Sequence, residues 1–250
     1  MRAVFALLLA CLPLAPTYAD DGIPTAKTII ERVYAAAGGE TWRRPLTLYL
    51  GGYGIFYPDG TEAGRKINER HEMYRVYPQA SPLAHVANGK VRINSWRGGK
   101  ILFENAFDGV QTYTQAGPTG TAGDSREWKE NFGFGIIRYA LDPGMTLTRL
   151  PDDSVEGRAT YTIRVSDTGE GTTLFSIDKE NYRVLKIGFA TPKGWHERLY
   201  SEFIDQSSPR WVQPMRVRLY YNGIKQNEIV WQKFEVNKPI ADAVFVIAKP

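Results

Sequence analysis

From Leu46 onward the sequence alternates apolar and polar residues with a period of two, broken at short intervals by turn-forming residues. In Tyr161-Thr162-Ile163-Arg164-Val165-Ser166 and Met215-Arg216-Val217-Arg218-Leu219-Tyr220-Tyr221, odd positions are apolar and most even positions polar. Successive side chains of a strand leave to opposite faces, so such a segment buries one face and wets the other. The punctuation is Pro58-Asp59-Gly60, Gly98-Gly99, Asp108-Gly109, Gly169-Glu170-Gly171 and Asn222-Gly223, residues suited to hairpin turns. About a dozen such runs, from residues 46–56 to 224–236, predict one large antiparallel sheet, curved or closed. An all-α bundle does not fit this pattern. Nor does it fit 24 Gly, 15 Pro and 12% aromatic residues, which favour short strands and tight turns.

Two stretches depart from that rhythm. Thr25 to Ala37 places Ile29, Ile30, Val33 and Ala36 or Ala37 on one helical face, with Thr25 as N-cap and Gly38-Gly39 as the stop. Residues 124–142 begin at a capping Asp124 or Ser125 and carry apolar residues at Trp128, Phe132, Ile136 and Ala140. They predict one or two short helices, broken near Gly133 and Gly135. The chain shows no internal repeat and no linker, so residues 20–250 are expected to form a single domain.

Residues 1–19 begin with basic Arg2, continue through an apolar core from Ala3 to Leu12, and end at a small residue, Ala19, before Asp20-Asp21. This is the pattern of a secretory signal peptide, and it predicts a periplasmic protein. The apolar run is about ten residues, short of the ~20 that span a bilayer. The only cysteine, Cys11, lies in Leu8-Leu9-Ala10-Cys11, a string resembling a lipobox, so a lipid anchor through Cys11 is the alternative. If cleavage falls after Ala19, the mature chain can use neither disulfides nor thiolate chemistry.

The large rings exceed what a small sheet core usually needs: Trp42, Tyr49, Tyr53, Phe56, Trp96, Phe103, Phe107, Tyr113, Trp128, Phe132, Phe134, Phe189 and Trp195. A curved sheet that does not fully collapse can keep an apolar cavity for a small ligand. The alternative is that the rings fill a solid core.

The second half of the chain resembles the outer-membrane lipoprotein-sorting family, the LolA-like periplasmic lipoprotein carriers. The matching residues are Val155-Glu156-Gly157, Tyr161 to Val165, Ser176-Ile177-Asp178, Val184-Leu185-Lys186, Tyr200-Ser201-Glu202-Phe203, Gln213-Pro214 and Phe234 to Phe245. The most specific string holds Asn237, Pro239, Asp242 and Phe245; with Asp178 and Pro214 these are the family's structural signature. In the first half, Glu69 to Arg75 and Phe107 to Tyr113 resemble two of its strands, with His71 standing where the family has proline.

The resemblance implies an α+β fold, an incomplete antiparallel half-barrel of about 11–12 strands with an N-terminal helix and a short helical lid on its concave side. It implies an acyl-binding cavity, with Tyr49, Tyr53, Trp96, Phe103, Phe107, Tyr113, Trp128, Phe132, Phe134, Ile136 and Phe189 as candidate lining. Arg70 matches the arginine that holds the lid through hydrogen bonds to helix backbone, a role suited to five donors in a rigid fork. The implied cargo is a lipid or acylated protein, with an inner-membrane transporter or outer-membrane acceptor as partner and a monomeric carrier. An envelope regulatory or structural protein with a filled core is the rival.

No cofactor, metal or catalytic residue is expected. His71-Glu72 and His196-Glu197 do not continue to the His-Glu-x-x-His motif, since Arg75 and Tyr200 occupy the closing positions. No Gly-x-Ser-x-Gly elbow occurs, and Gly52-Tyr53-Gly54 and Gly133-Phe134-Gly135 lack the third glycine of a dinucleotide fingerprint. A carboxylate-dependent hydrolase stays open, because paired carboxylates meet in space rather than in sequence. The net charge of +4 is too small an excess to suggest nucleic acid; the scattered basic pairs, such as Arg216 and Arg218, fit a solvated sheet face or a docking surface for anionic headgroups.

Overall fold

The computed structural model describes residues 22–78, 89–119, 133–169 and 171–248. The signal peptide, Cys11, Trp128 and Phe132 lie outside these residues, as does the side chain of Phe134.

The alternating segments pair as expected into one antiparallel sheet of thirteen strands: β1 (Thr47–Phe56), β2 (Lys66–Val76), β3 (Lys90–Arg97), β4 (Lys100–Phe107), β5 (Thr112–Thr114), β6 (Gly117–Thr119), β7 (Thr146–Val155), β8 (Arg158–Ser166), β9 (Thr172–Asp178), β10 (Val184–Thr191), β11 (Gly194–Ser207), β12 (Arg210–Tyr221) and β13 (Ile224–Val236). The spatial order runs β6-β5-β4-β3-β2-β1-β13-β12-β11-β10-β9-β8-β7. Two meanders thus meet at the centre, where β1 pairs with β13, and among the described residues β6 and β7 are the outermost strands. The fold is an incomplete barrel with α+β content. Among the described residues one strand more is present than the upper end of the 11–12 that the sequence suggested. β6 has only three residues, too few for alternation to register, and its Pro118 is tolerated because an edge strand need not donate a ladder bond.

Local chemistry sets the hairpins. Asn222 and Gly223 join β12 to β13 with φ of 49° and 78°, the left-handed pair of a type I′ turn whose twist matches the flanking strands. Register shifts interrupt β1 at Gly51/Gly52 and Gly52/Gly54, and such bulges bend a sheet. At Gly52 a Cβ would lie 2.0 Å from the Val230 carbonyl oxygen, so the close approach of β1 to β13 there requires glycine.

One face of the sheet, the inner face, is covered by helices. α1 (Ala26–Ala37) begins where the sequence placed it, with the Thr25 hydroxyl accepting from the Thr28 amide, and ends at Gly38. α2 (Glu40–Arg43) follows, and a 3₁₀ helix spans Gly133–Tyr139 within the segment expected to be helical. Ile29, Ile30, Val33, Ile136 and Ile137 from these helices share one core with Ile163, Phe175, Ile177, Ile187, Phe189 and Trp211 from the sheet. Each fully buried side chain of this size contributes about 1.5–3 kcal/mol.

The helical layer is also stitched by polar contacts. Tyr34 donates to the Ile137 carbonyl (2.8 Å) and Arg44 to the Arg138 carbonyl (3.0 Å). Asp142 receives Arg43 on one oxygen (2.7 Å) and Arg44 on the other (2.5 Å). The arginine that holds the 3₁₀ helix by its backbone is therefore Arg44.

Candidate functional site

Between the inner face and the helices lies a cavity of about 410 Å³, within the range of small-ligand sites. Its position follows from strand phase. On β2 the odd residues His71, Met73 and Arg75 face inward, in register with Ser95, Ile93 and Val91 of β3. On β1 the inward residues are Leu48, Leu50 and Phe56, and on β13 they include Ile229 and Trp231.

The cavity has two chemically distinct regions. Around His71 the wall is aromatic: ring centroids lie 5.6 Å away for Trp231, 6.0 Å for Phe103 and 6.1 Å for Phe56. Burial drives the His71 pKa down to about 4, so the imidazole is neutral at pH 7; its Nδ1 lies 3.3 Å from Ser95 Oγ.

Four residues further along β2, a distance of roughly 13 Å, the wall becomes cationic. Arg75 lies over the Tyr77 ring at 4.8 Å, and Arg138 from the 3₁₀ helix lies against the same ring at 5.4 Å. Arg138 also stacks on Trp42 at 4.1 Å and Trp211 at 5.1 Å, and donates to the Trp42 carbonyl. Arg198 enters from β11, where its Nε meets His196 Nε2 at 3.0 Å. Burial lowers the pKa of all three arginines, and the charge of Arg75 lowers those of Arg138 and Arg198 further. Arginine nevertheless stays protonated at any ordinary pH. Beside them, burial raises the Tyr200 hydroxyl to about 12, so it remains a proton donor.

The residues singled out in the sequence fall in several places. Phe103 lines the cavity, as does Pro214. Phe107 is buried in a satellite cluster with Val91, and Ile136 and Phe189 belong to the solid core; these three do not line the cavity. Tyr49, Tyr53, Trp96 and Tyr113 belong to the opposite phase of their strands, on the outer face. There Tyr49 packs on Tyr74 with centroids 4.8 Å apart and donates to Glu72 (3.1 Å), and Tyr113 donates to Asp108 (3.0 Å).

Arg70 is likewise on the outer face, 2.9 Å from Glu72 and 4.1 Å over the Trp96 ring, so the geometry does not support a latch on the helical layer. Of the remaining signature residues, Asp178 ion-pairs with Arg158 (2.5 Å) and accepts the Glu180 amide (2.8 Å). Asn237 accepts the Leu46 amide (2.8 Å), Asp242 pairs with Lys90 (2.6 Å), Phe245 is buried and Pro239 is exposed. The arginines at the cavity were missed, because the inward phase of β2 and β11 mixes polar residues such as His71, His196 and Tyr200 with apolar ones and gives the arginines no contrast.

Among the described residues, no cluster of His, Cys, Asp or Glu could hold a metal ion, and no helix is long and apolar enough to cross a membrane.

The fold and cavity together define an open half-barrel whose hollow is covered by helices and keeps a ligand-sized space. No protein-family model and no curated protein matches the chain. Solved structures do. A LolA superfamily protein from Nitrosomonas europaea matches over 90% of this chain and 98% of its own, at 12% identity and a TM-score of 0.55. An outer membrane lipoprotein-sorting protein domain from Vibrio parahaemolyticus matches over 88% and 95%, at 13% identity and a TM-score of 0.54. A DUF1329 family protein from Desulfovibrio piger matches over 89% and 98%, at 11% identity and a TM-score of 0.54. The chain has the LolA-like fold.

Proposed function

We propose that the protein is exported to the periplasm, binds a lipid or acyl chain in the cavity, and carries or presents it between envelope membranes or partners. The observation that supports this is the 410 Å³ space lined by Leu50, Phe56, Met73, Ile93, Phe103 and Ile229 beneath the helical layer. Each methylene moved from water into such a space gains ~0.8 kcal/mol. Ten methylenes would gain roughly 8 kcal/mol, against an association cost of at least ~4 kcal/mol. Binding of that strength is reversible, as a carrier requires. The LolA superfamily and lipoprotein-sorting names of the structural neighbours agree with this role. An acylated protein or a free lipid is the expected cargo, handled by a monomer.

The test is native mass spectrometry of the mature protein purified from its own periplasm, followed by solvent extraction and lipid analysis. A stoichiometric acyl-bearing ligand is the expected result. A protein that is empty and also takes up no fluorescent fatty acid would overturn the proposal and favour an envelope interaction protein.

A further inference from the structure

Where β2 and β3 pair, four polar side chains form one hydrogen-bonded chain that runs to the cavity. Arg97 Nε and Nη2 both donate to Asn68 Oδ1 (3.0 and 2.7 Å), Asn68 Nδ2 donates to Ser95 Oγ (2.7 Å), and Ser95 Oγ lies 3.3 Å from His71 Nδ1. Asn68 and Ser95 are buried, and His71 and Ser95 stand opposite each other across the two strands.

The directions of these bonds are set from the Arg97 end. A guanidinium has donors and no acceptor, so the Asn68 atom facing Arg97 is its oxygen, and the amide nitrogen turned toward Ser95 is a donor. Ser95 Oγ therefore accepts from Asn68, and among the described residues the acceptor in reach of its own proton is His71 Nδ1. Burial keeps the imidazole neutral. With Nδ1 accepting, its one proton is on Nε2. Nε2 has no hydrogen-bond partner among the described residues, and it is not one of the polar atoms sealed off without a partner: it opens on the cavity that His71 lines.

We infer that His71 Nε2–H is the seat for the carbonyl oxygen of an ester- or amide-linked acyl chain, with the hydrocarbon of that chain lying in the cavity. This rests on the acyl-binding function proposed above and specifies its ligand class. Three features of the geometry carry it.

The first is the open end of the chain. A buried polar network that serves structure alone closes on itself, because an unpaired donor costs free energy; this one stops at a donor that a ligand can satisfy. The second is preorganisation. The tautomer is fixed before a ligand arrives, which lowers the ordering cost of binding, and each bond from Arg97 inward polarises the next. The third is the surroundings. The ring centroids of Trp231, Phe103 and Phe56 lie 5.6–6.1 Å from that of His71, so the donor stands in an apolar setting. One neutral donor there satisfies a neutral carbonyl, whereas it does not offset the desolvation of a free carboxylate. Ser95 is fully buried, so the Ser95–His71 pair is not a nucleophile and base open to that carbonyl.

The experiment uses the mature, delipidated protein at pH 7.4. Nitrogen NMR of histidine-labelled protein, with the His71 signals identified by their absence in His71→Phe, reads the tautomer. Nε2–H is expected, and a ring protonated mainly on Nδ1 would overturn the inference. Binding is read by displacement of cis-parinaric acid with methyl dodecanoate, N-methyldodecanamide and 1-methoxydodecane, which share one chain length, the ether lacking the carbonyl oxygen. The ester and the amide are expected to bind roughly three- to tenfold more tightly than the ether, the effect of one hydrogen bond. The infrared carbonyl stretch of the bound ester should lie below its position in hexane. In His71→Phe the preference should vanish and the stretch should return toward the hexane value, with ether affinity little changed, which also reports that the variant is folded. Ether bound as tightly as the ester and the amide, or a preference that survives His71→Phe, would overturn the carbonyl seat and leave the acyl-binding proposal standing. Failure of cis-parinaric acid and all three probes to bind would overturn both. Because the probe order is read on wild-type protein, it decides the matter even if the variant does not fold.

Discussion

Arg70 and His71 are consecutive on β2 and face opposite sides of the sheet: Arg70 lies 4.1 Å over the ring of Trp96 on the outer face, and the His71 ring is 5.6 Å from that of Trp231 in the cavity. A one-residue difference in position therefore separates a surface ion pair from the ligand space. Arg70→Leu is expected to leave fatty-acid loading and release unchanged. Its stability cost should be ~1 kcal/mol or less, since the Arg70 side chain is 57% exposed and such pairs are screened by solvent. Loading assays and urea titrations on the variant check this, and altered release would restore Arg70 to a role at the helical layer.

His71 makes stability depend on pH in a definite direction. Its pKa falls from 6.5 to about 4 on burial, so between those values the unfolded chain holds a proton that the folded chain does not. The contribution is fully present above ~6.5 and is lost as the pH drops toward 4. At 1.36 kcal/mol per pH unit, this amounts to about 2 kcal/mol between pH 7 and pH 5. Urea unfolding at both pH values should show His71→Gln losing less stability than wild type by about that amount. Equal losses in the two proteins would assign the pH dependence to other groups.

How much of this was legible in the sequence depends on how local the information was. The Asn222-Gly223 turn, the Thr25 cap and the inward phase of Ile163 and Val165 were readable because each is decided within a few residues. The phase of β1 was not, because Leu48-Tyr49-Leu50 is apolar on both faces and the alternation has no contrast. Its outer ring is shielded instead by a long cationic side chain: Lys233 lies 5.2 Å over Tyr49, much as Arg70 covers Trp96. The cluster of Arg75, Arg138 and Arg198 spans three distant segments, so only the folded sheet brings it together. The short β6 carried too few residues to show any period.

Asn237 ties the end of β13 to the start of β1. Its side-chain oxygen accepts the Leu46 amide at 2.8 Å and lies 3.4 Å from the Thr47 amide, while its own backbone is left-handed at φ 59°. Two costs can be separated here. Asn237→Gly keeps the backbone conformation and loses the acceptor, an expected ~1 kcal/mol; Asn237→Ala loses both, about 2 kcal/mol or more. Asn237→Asp retains the acceptor and should be the mildest of the three. Denaturant midpoints in the order Asp, Gly, Ala would establish this division, and Ala as stable as Gly would show that the left-handed backbone carries no cost.

Asp142 closes the helical layer over the cavity by accepting Arg43 and Arg44 on separate oxygens, and its side chain is only 11% exposed. Asp142→Ala would strand two partly buried guanidiniums against α2, at an expected ~2 kcal/mol, between the values for exposed and fully buried pairs. Arg44→Leu should cost less, because Arg43 keeps its partner, although the bond to the Arg138 carbonyl is lost. If ligand leaves by displacement of this layer, weakening it by ~2 kcal/mol should speed release of a preloaded fluorescent fatty acid roughly 10–30-fold, with Arg44→Leu intermediate. Stopped-flow transfer to acceptor vesicles measures that rate. Release at the wild-type rate from a folded Asp142→Ala protein would mean that ligand does not leave by displacement of this layer.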